Sequence, residues 1–148
     1  MDAFSASLMA DKREIVFAPT VYKFQTFAQM AEEFKLGERD VVLTNEFIYT
    51  PFMKELSLKC NFVFQEKFGA GEPSEAMIQT MYDAIPYDSY DRVIAVGGGA
   101  IMDLCKLLGC KRPDTVHNLY FKRFPVVHEK DVIAIPTTCG TGSECTNI

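Results

Sequence analysis

Apolar residues along this chain fall into two alternating rhythms. Short unbroken runs at 41–44 (VVLT), 60–64 (CNFVF), 93–96 (VIAV) and 132–135 (VIAI) have the length and β-branched content of buried strands. Between them apolar positions recur every three or four residues, as on one face of a helix. A further strand is predicted at 14–18, ended by Pro19. Thr26 then opens a helix with Phe27, Met30, Ala31 and Phe34 on one face and Gly37 as its C-terminal cap. A weaker helix is predicted at 49–58, with Pro51 in its first turn.

The turn GAGEPSEAM feeds a helix begun by Pro73 or Ser74. Met77, Ile78, Met81, Tyr82 and Ile85 recur along it, and Pro86 stops it. After the run at 93–96, a helix at 100–110 is expected to bury Ile101, Leu104, Cys105 and Leu108. Residues 111–130 mix charges, aromatics and prolines without period, and read as a long connection with room for one helical turn. Strands that alternate with helices predict an α/β fold, a Rossmann-like parallel sheet with helices on both faces. At 148 residues this is one domain, large enough for a proper core.

In such sheets ligands bind beyond the carboxyl ends of the strands. Three polar or glycine-rich segments leave those ends: Asn45-Glu46, Gly97 to Gly99, and Thr137 to Ser143. The stretch VIAVGGGAIMDLCK, 93–106, runs from strand through three glycines straight into a helix. Its glycines let the backbone turn and let an oxygen-rich ligand approach closely, and the first helical amides are suited to a phosphate. The pattern departs from G-x-G-x-x-G, since Met102 stands at the third glycine position. Asp103 is expected in the first helical turn, where the dipole favours a carboxylate, either as a simple helix acid or as a hydrogen-bonding partner of the ligand. TTCGTGSE adds four hydroxyls, from Thr137, Thr138, Thr141 and Ser143, and two glycines. Asn45, the first residue beyond its strand, stands where an acid commonly binds the adenosine ribose, and its neutral amide leaves NAD and NADP both open.

Charge and composition narrow the partners. The net charge is −5 with Lys and Arg scattered, which argues against nucleic acid. No apolar run approaches the ~20 residues of a membrane span, and the N-terminus lacks the basic start and apolar centre of a signal peptide. A cytosolic location is expected, without membrane contact. The five cysteines form no C-x-x-C pair and read as reduced, structural thiols; Cys139 has no neighbouring His to act as a base. His117 and His128 lack the spacing of a zinc site.

Taken together, GGGAIMD, PTTCGTGSE and the helix-opening GEPS at 71–74 resemble the motifs of the iron-containing alcohol dehydrogenases, in their N-terminal half. VYKF (21–24), LTNEF (43–47), FQEKFGAGEPS (64–74) and TTCGTGSECTN (137–147) are similar to the hydroxybutyrate branch of that family. The resemblance implies a dinucleotide whose pyrophosphate is held by Gly97, Gly98, Gly99, Ala100 and Ile101. Thr137, Thr138, Thr141 and Thr146 would lie along the nicotinamide half, and Asn45 near the adenosine ribose. Asp103 completes the cofactor-binding set. Ala100 replaces the family's usual Ser, a hydroxyl worth about 0.5–1.5 kcal/mol in a net hydrogen bond. NAD is the expected cofactor, with NADP as the alternative.

Family members are substantially longer, and hold a divalent iron or zinc with one Asp and three His in a later helical domain. None of those ligands can be assigned in this chain, and no catalytic residue can be named. The resemblance therefore implies residues 1–148 as the NAD(P)-binding domain of a dehydrogenase interconverting 4-hydroxybutyrate and succinate semialdehyde, inactive by itself. Two other readings stay open: a stand-alone nucleotide-binding module, and a dehydrogenase for another alcohol such as butanol or propanediol. A homo-oligomer is expected, with the last strand as an exposed sheet edge.

Overall fold

Each of the short apolar runs becomes one strand of a single parallel sheet in the computed structural model, which describes residues 19–121 and 125–145. The strands are β1 (Asp40–Thr44), β2 (Asn61–Phe64), β3 (Arg92–Gly97) and β4 (Asp131–Pro136), in the order β2-β1-β3-β4. Val42 pairs with Phe62 on one side and with Ile94 on the other, and Ile94 in turn pairs with Ile133. The chain steps outward from β1 to β2, then returns past β1 to β3. That reversal puts the topological switch point between β1 and β3, where ligands of open α/β sheets bind.

Successive side chains point to opposite faces, so β1 and β3 feed two cores. Val41, Leu43, Val93 and Ala95 pack under α3 (Glu75–Ala84) and α4 (Gly99–Gly109), through Met77, Met81, Tyr82, Ile101, Leu104, Cys105 and Leu108. Val42, Ile94 and Val96 pack against Met30 of α1 (Phe27–Glu33), Ile48 of α2 (Glu46–Phe52) and Met53 just beyond it. The predicted α/β architecture with both faces covered is observed. The connection after α4 carries one short helix, α5 (Val116–Tyr120). β4 is the exception to the covering: Val132 and Ala134 are exposed, and no strand pairs with its far edge among the described residues.

Several boundaries differ from expectation. α1 ends at Glu33, and Lys35, not Gly37, takes the left-handed cap conformation (φ 49°). Leu36 N–H donates to the Ala31 carbonyl and Lys35 N–H to that of Glu32, a Schellman closure that needs no glycine. α2 begins at Glu46, three residues before the predicted start, because Asn45 already lies beyond the strand and serves as N-cap; Pro51 sits near its end rather than in its first turn. The strand predicted at 14–18 lies outside the described residues.

At the amino ends of the strands, charges tie the elements together. Arg92 grips Asp40 through two hydrogen bonds of 2.8 and 2.9 Å and reaches the Phe34 carbonyl. Arg112 donates to the carbonyls of Tyr82 and Ile85 and to the Tyr90 hydroxyl, fastening the long connection to the end of α3.

Candidate functional site

The opposite, carboxyl edge of the sheet is built from three chain ends: Thr44-Asn45 where β1 ends, Gly97-Gly98-Gly99 where β3 ends, and the loop from Thr137 after β4. Gly98 is the N-cap of α4 with an ordinary extended backbone (φ −83°, ψ −173°) and no side chain to cap the helix. The glycines of this turn are therefore not needed for unusual dihedrals; space decides at Gly97 and, more mildly, at Gly99, whereas a Cβ on Gly98 would make ordinary contact. A Cβ on Gly97 would fall 2.7 Å from Ile101 Cδ1. On Gly98 it would lie 3.4 Å from Thr138 Oγ1, and on Gly99 3.2 Å from Ser143 Oγ and 3.5 Å from Thr141 Cβ. The threonine loop is folded directly over the glycine turn, and Thr137 N–H donates to the Gly97 carbonyl at 2.9 Å.

Two glycines within that loop do work through dihedrals. Gly140 (φ 91°) and Gly142 (φ 69°) occupy the left-handed region, which lets the loop double back so that Thr141 and Ser143 reach Gly99. Thr141 Oγ1 donates to Glu144 at 3.3 Å and accepts from Ser143 N–H at 3.5 Å. Thr137, Thr138 and Cys139 are exposed. Thr146 lies outside the described residues. The first-turn amides of α4, including those of Ala100 and Ile101, have no carbonyl behind them within the helix, so glycine turn, helix N-terminus and hydroxyl-rich loop together form a cradle for a phosphate-bearing ligand.

Asn45 stands across the switch point. Its side chain makes no capping bond to α2; its Nδ2 donates to Gln65 Oε1 at 3.5 Å. Thr44, fully buried just before it, has a hydroxyl without a hydrogen-bond partner. Gln65 and Glu66 were not among the residues singled out in the sequence. Register pairs Thr44 with Phe64, so Gln65 emerges beside Asn45, and a polar pair directly after a buried strand was the available signal.

Asp103 departs from its expected place. It is the fifth residue of α4, beyond the first turn, and its half-exposed carboxylate pairs with Lys106 Nζ at 3.0 Å. The helix starts at Gly99, one residue early, which carries Asp103 down its axis. His117 lies 3.5 Å from Glu75, and His128 Nδ1 lies 3.6 Å from the buried Cys110 Sγ. Among the described residues no three His, Cys, Asp or Glu converge into a metal-holding group. The described cysteines are unpaired, with Cys60, Cys105 and Cys110 buried and Cys139 and Cys145 exposed. No helix among the described residues is long and apolar enough to cross a membrane.

An open cleft of about 780 Å³ lies at the other edge of the sheet, between Lys35, Arg39, Lys59, Asp91 and Asp131. Within it Arg39 pairs with Asp91 and Arg92 with Asp40. It is far from the glycine turn and lies at the wrong ends of the strands for a ligand of this fold.

The model of the iron-containing alcohol dehydrogenase family matches residues 18–148. The chain is 47% identical over 131 residues to 4-hydroxybutyrate dehydrogenase of Clostridium kluyveri, a match covering 88% of this chain and 35% of that protein. The chain thus spans little more than a third of the length of that relative. Among solved structures, it resembles an iron-containing alcohol dehydrogenase from Thermotoga maritima, with a TM-score of 0.59 and 26% identity over 81% of this chain and 35% of the other. Sulfoacetaldehyde reductase from Bifidobacterium kashiwanohense, solved with NAD+, shares the fold at a TM-score of 0.62 and 21% identity over 81% of this chain and 33% of that one.

Proposed function

The chain belongs to the iron-containing alcohol dehydrogenase family, and from that premise we propose that it is the NAD-binding part of a 4-hydroxybutyrate dehydrogenase. One observation carries the cofactor assignment: the threonine loop seated on the glycine turn at the N-terminus of α4, on the carboxyl edge of the sheet. The α4 amides and the bare Cα atoms of Gly97, Gly98 and Gly99 hold the pyrophosphate, with Ala100 and Ile101 contributing backbone donors. Thr137, Thr138 and Thr141 line the nicotinamide side toward β4; the family resemblance assigns Thr146 to the same half of the cofactor, outside the described residues. Asn45 serves the adenosine ribose over β1. Asp103, tied to Lys106, acts on the ligand only through the helix that carries it.

When bound, NAD supplies the nicotinamide that accepts or returns a hydride. This chain's residues orient that ring between the threonine loop and the glycine turn and fix the phosphates by backbone donors. The described residues offer no ligand set for the family's metal. Substrate choice follows the Clostridium relative, a 4-hydroxybutyrate dehydrogenase. The whole reaction then needs parts of the family enzyme that this chain does not match, and residues 1–148 alone should show no metal-stimulated oxidation of 4-hydroxybutyrate.

Titration with NADH, followed by nicotinamide fluorescence, tests the site. Saturable binding is expected, and Gly98→Asp should abolish it. The substitution puts a side chain against Thr138 and a negative charge at the phosphate position. Equal signals from both proteins would make the glycines a mere corner.

A further inference from the structure

The hydroxyls of the loop after β4 look alike in the sequence, and the structure separates them. A Cβ on Gly98 would lie 3.4 Å from Thr138 Oγ1, and one on Gly99 3.2 Å from Ser143 Oγ, so these two side chains turn oxygens toward the glycine turn. Thr141 turns carbon. Its Cβ and Cγ2 are the atoms it brings near Gly99, at 3.5 and 3.6 Å from the same Cβ position. Its hydroxyl points instead at Glu144 Oε2, 3.3 Å away.

A threonine hydroxyl has one proton and two lone pairs, and an ionised carboxylate only accepts. The Thr141 proton therefore goes to Glu144, while Ser143 N–H, at 3.5 Å, is directed at a lone pair. What Thr141 can offer a ligand is an acceptor. Phosphate oxygens need donors and find them in the α4 amides. The N–H and O–H groups of a nicotinamide riboside, its carboxamide amino group and ribose hydroxyls, are what an acceptor recognises.

Glu144 itself stands where repulsion argues against an acid. It is half-buried, on a loop folded over an anion cradle, and no ion pair offsets it among the described residues. Thr141-x-x-Glu144 has the spacing of a capping box, and the short turn after it, Ser143–Cys145, is closed by Cys145 N–H on the Gly142 carbonyl at 2.8 Å.

We propose that Glu144 is a positioning residue of the cofactor site. By taking the Thr141 proton it holds that hydroxyl as an acceptor for an N–H or O–H donor on the nicotinamide half. The proposal rests on the dinucleotide reading above, with the threonine loop along that half.

Calorimetric titrations of residues 1–148 with NADH and with ADP-ribose, which has the pyrophosphate but no nicotinamide, test it. Glu144→Ala should weaken NADH about fivefold or more and change ADP-ribose less than about twofold. Glu144→Gln removes the charge but keeps an oxygen for Thr141, so NADH should stay within about twofold of the parent. Thr141→Val keeps the packing on Gly99 and should reproduce the Glu144→Ala loss; the double variant should be no worse than Thr141→Val alone, because the two residues act as one. The reduced 3-acetylpyridine analogue, which lacks the amide N–H, identifies the donor. A Thr141→Val loss that vanishes with it assigns the carboxamide, one that persists assigns the ribose, and either supports the proposal. A merely structural role would weaken ADP-ribose as much as NADH, since the same loop lies on the glycine turn. Equal losses for both ligands, additive losses in the double variant, or no loss in Glu144→Ala overturns the proposal. Loss of both ligands in Gly98→Asp, with both bound by the parent, keeps the dinucleotide reading standing in that event. If the parent binds neither, that reading fails and takes the proposal with it.

Discussion

Tyr82 shows how one buried side chain couples this fold to pH. Its hydroxyl donates to the Leu107 carbonyl at 3.2 Å, joining α3 to α4, while Arg112 stacks over its ring at 4.6 Å. Burial pushes its phenol from about 10 up to about 12, partly opposed by Arg112. Burial likewise lifts the Cys60 and Cys110 thiols from about 9 to about 11. In each case the unfolded chain releases the proton first as pH rises. Stability is therefore fully present below the unfolded values, falls from about pH 9 upward, and has lost these contributions by about pH 12. Tyr82→Phe should lose about 1 kcal/mol at neutral pH with its hydrogen bond, yet decline less between pH 10 and 12. Urea midpoints across that range would show it, and parallel curves for the two proteins would refute the assignment. At this scale the sequence disclosed the buried face that Tyr82 shares with Met77, Met81 and Ile85. The carbonyl its hydroxyl finds is 25 residues away and was not legible.

At the scale of elements, local signals succeeded where the backbone solves its own problem nearby. Ser74 was one of two expected starts for α3, and its Oγ accepts from Met77 N–H at 3.2 Å. Ser74→Ala should cost about 1 kcal/mol in urea unfolding with an unchanged slope, and Ser74→Asp should retain most of it. A silent Ser74→Ala would mean that packing alone holds the helix start. Pro86 likewise ends α3, with Ile85 as its C-cap. Gly37 misled because a glycine after a helix is the usual cap, while here Lys35 takes the left-handed position and Gly37 N–H instead donates to Asp40. The start of α2 is hidden in the sequence because Phe47, Ile48 and Tyr49 run together, an unbroken apolar stretch without helical spacing. Gly109 shows contact deciding identity: a Cβ there would lie 2.5 Å from Val132 Cγ2, where α4 meets β4.

Over the whole molecule, the proposed ligand joins parts that meet only at the carboxyl edge: the α4 start, the loop after β4 and the end of β1. NADH binding there should stabilise the folded chain by about 2.7 kcal/mol at a hundred times its Kd, and so raise Tm in proportion to the logarithm of its concentration. Gly98→Asp should remove that dependence, as thermal scans with and without NADH would show; a Tm indifferent to NADH in the parent chain counts against the site. The sequence by itself determined the alternation of strands and helices, the family, and the three segments that could hold a ligand. Those follow from periodicity, from glycine and proline placement, and from motifs of contiguous residues. Strand order, the register that sets Gln65 beside Asn45, the Lys106 partner of Asp103, and the contact of Thr138, Thr141 and Ser143 with the glycine turn were decided by the tertiary structure. Each joins residues that local chain preferences cannot bring together, and only the packing of two cores around one parallel sheet fixes their distances.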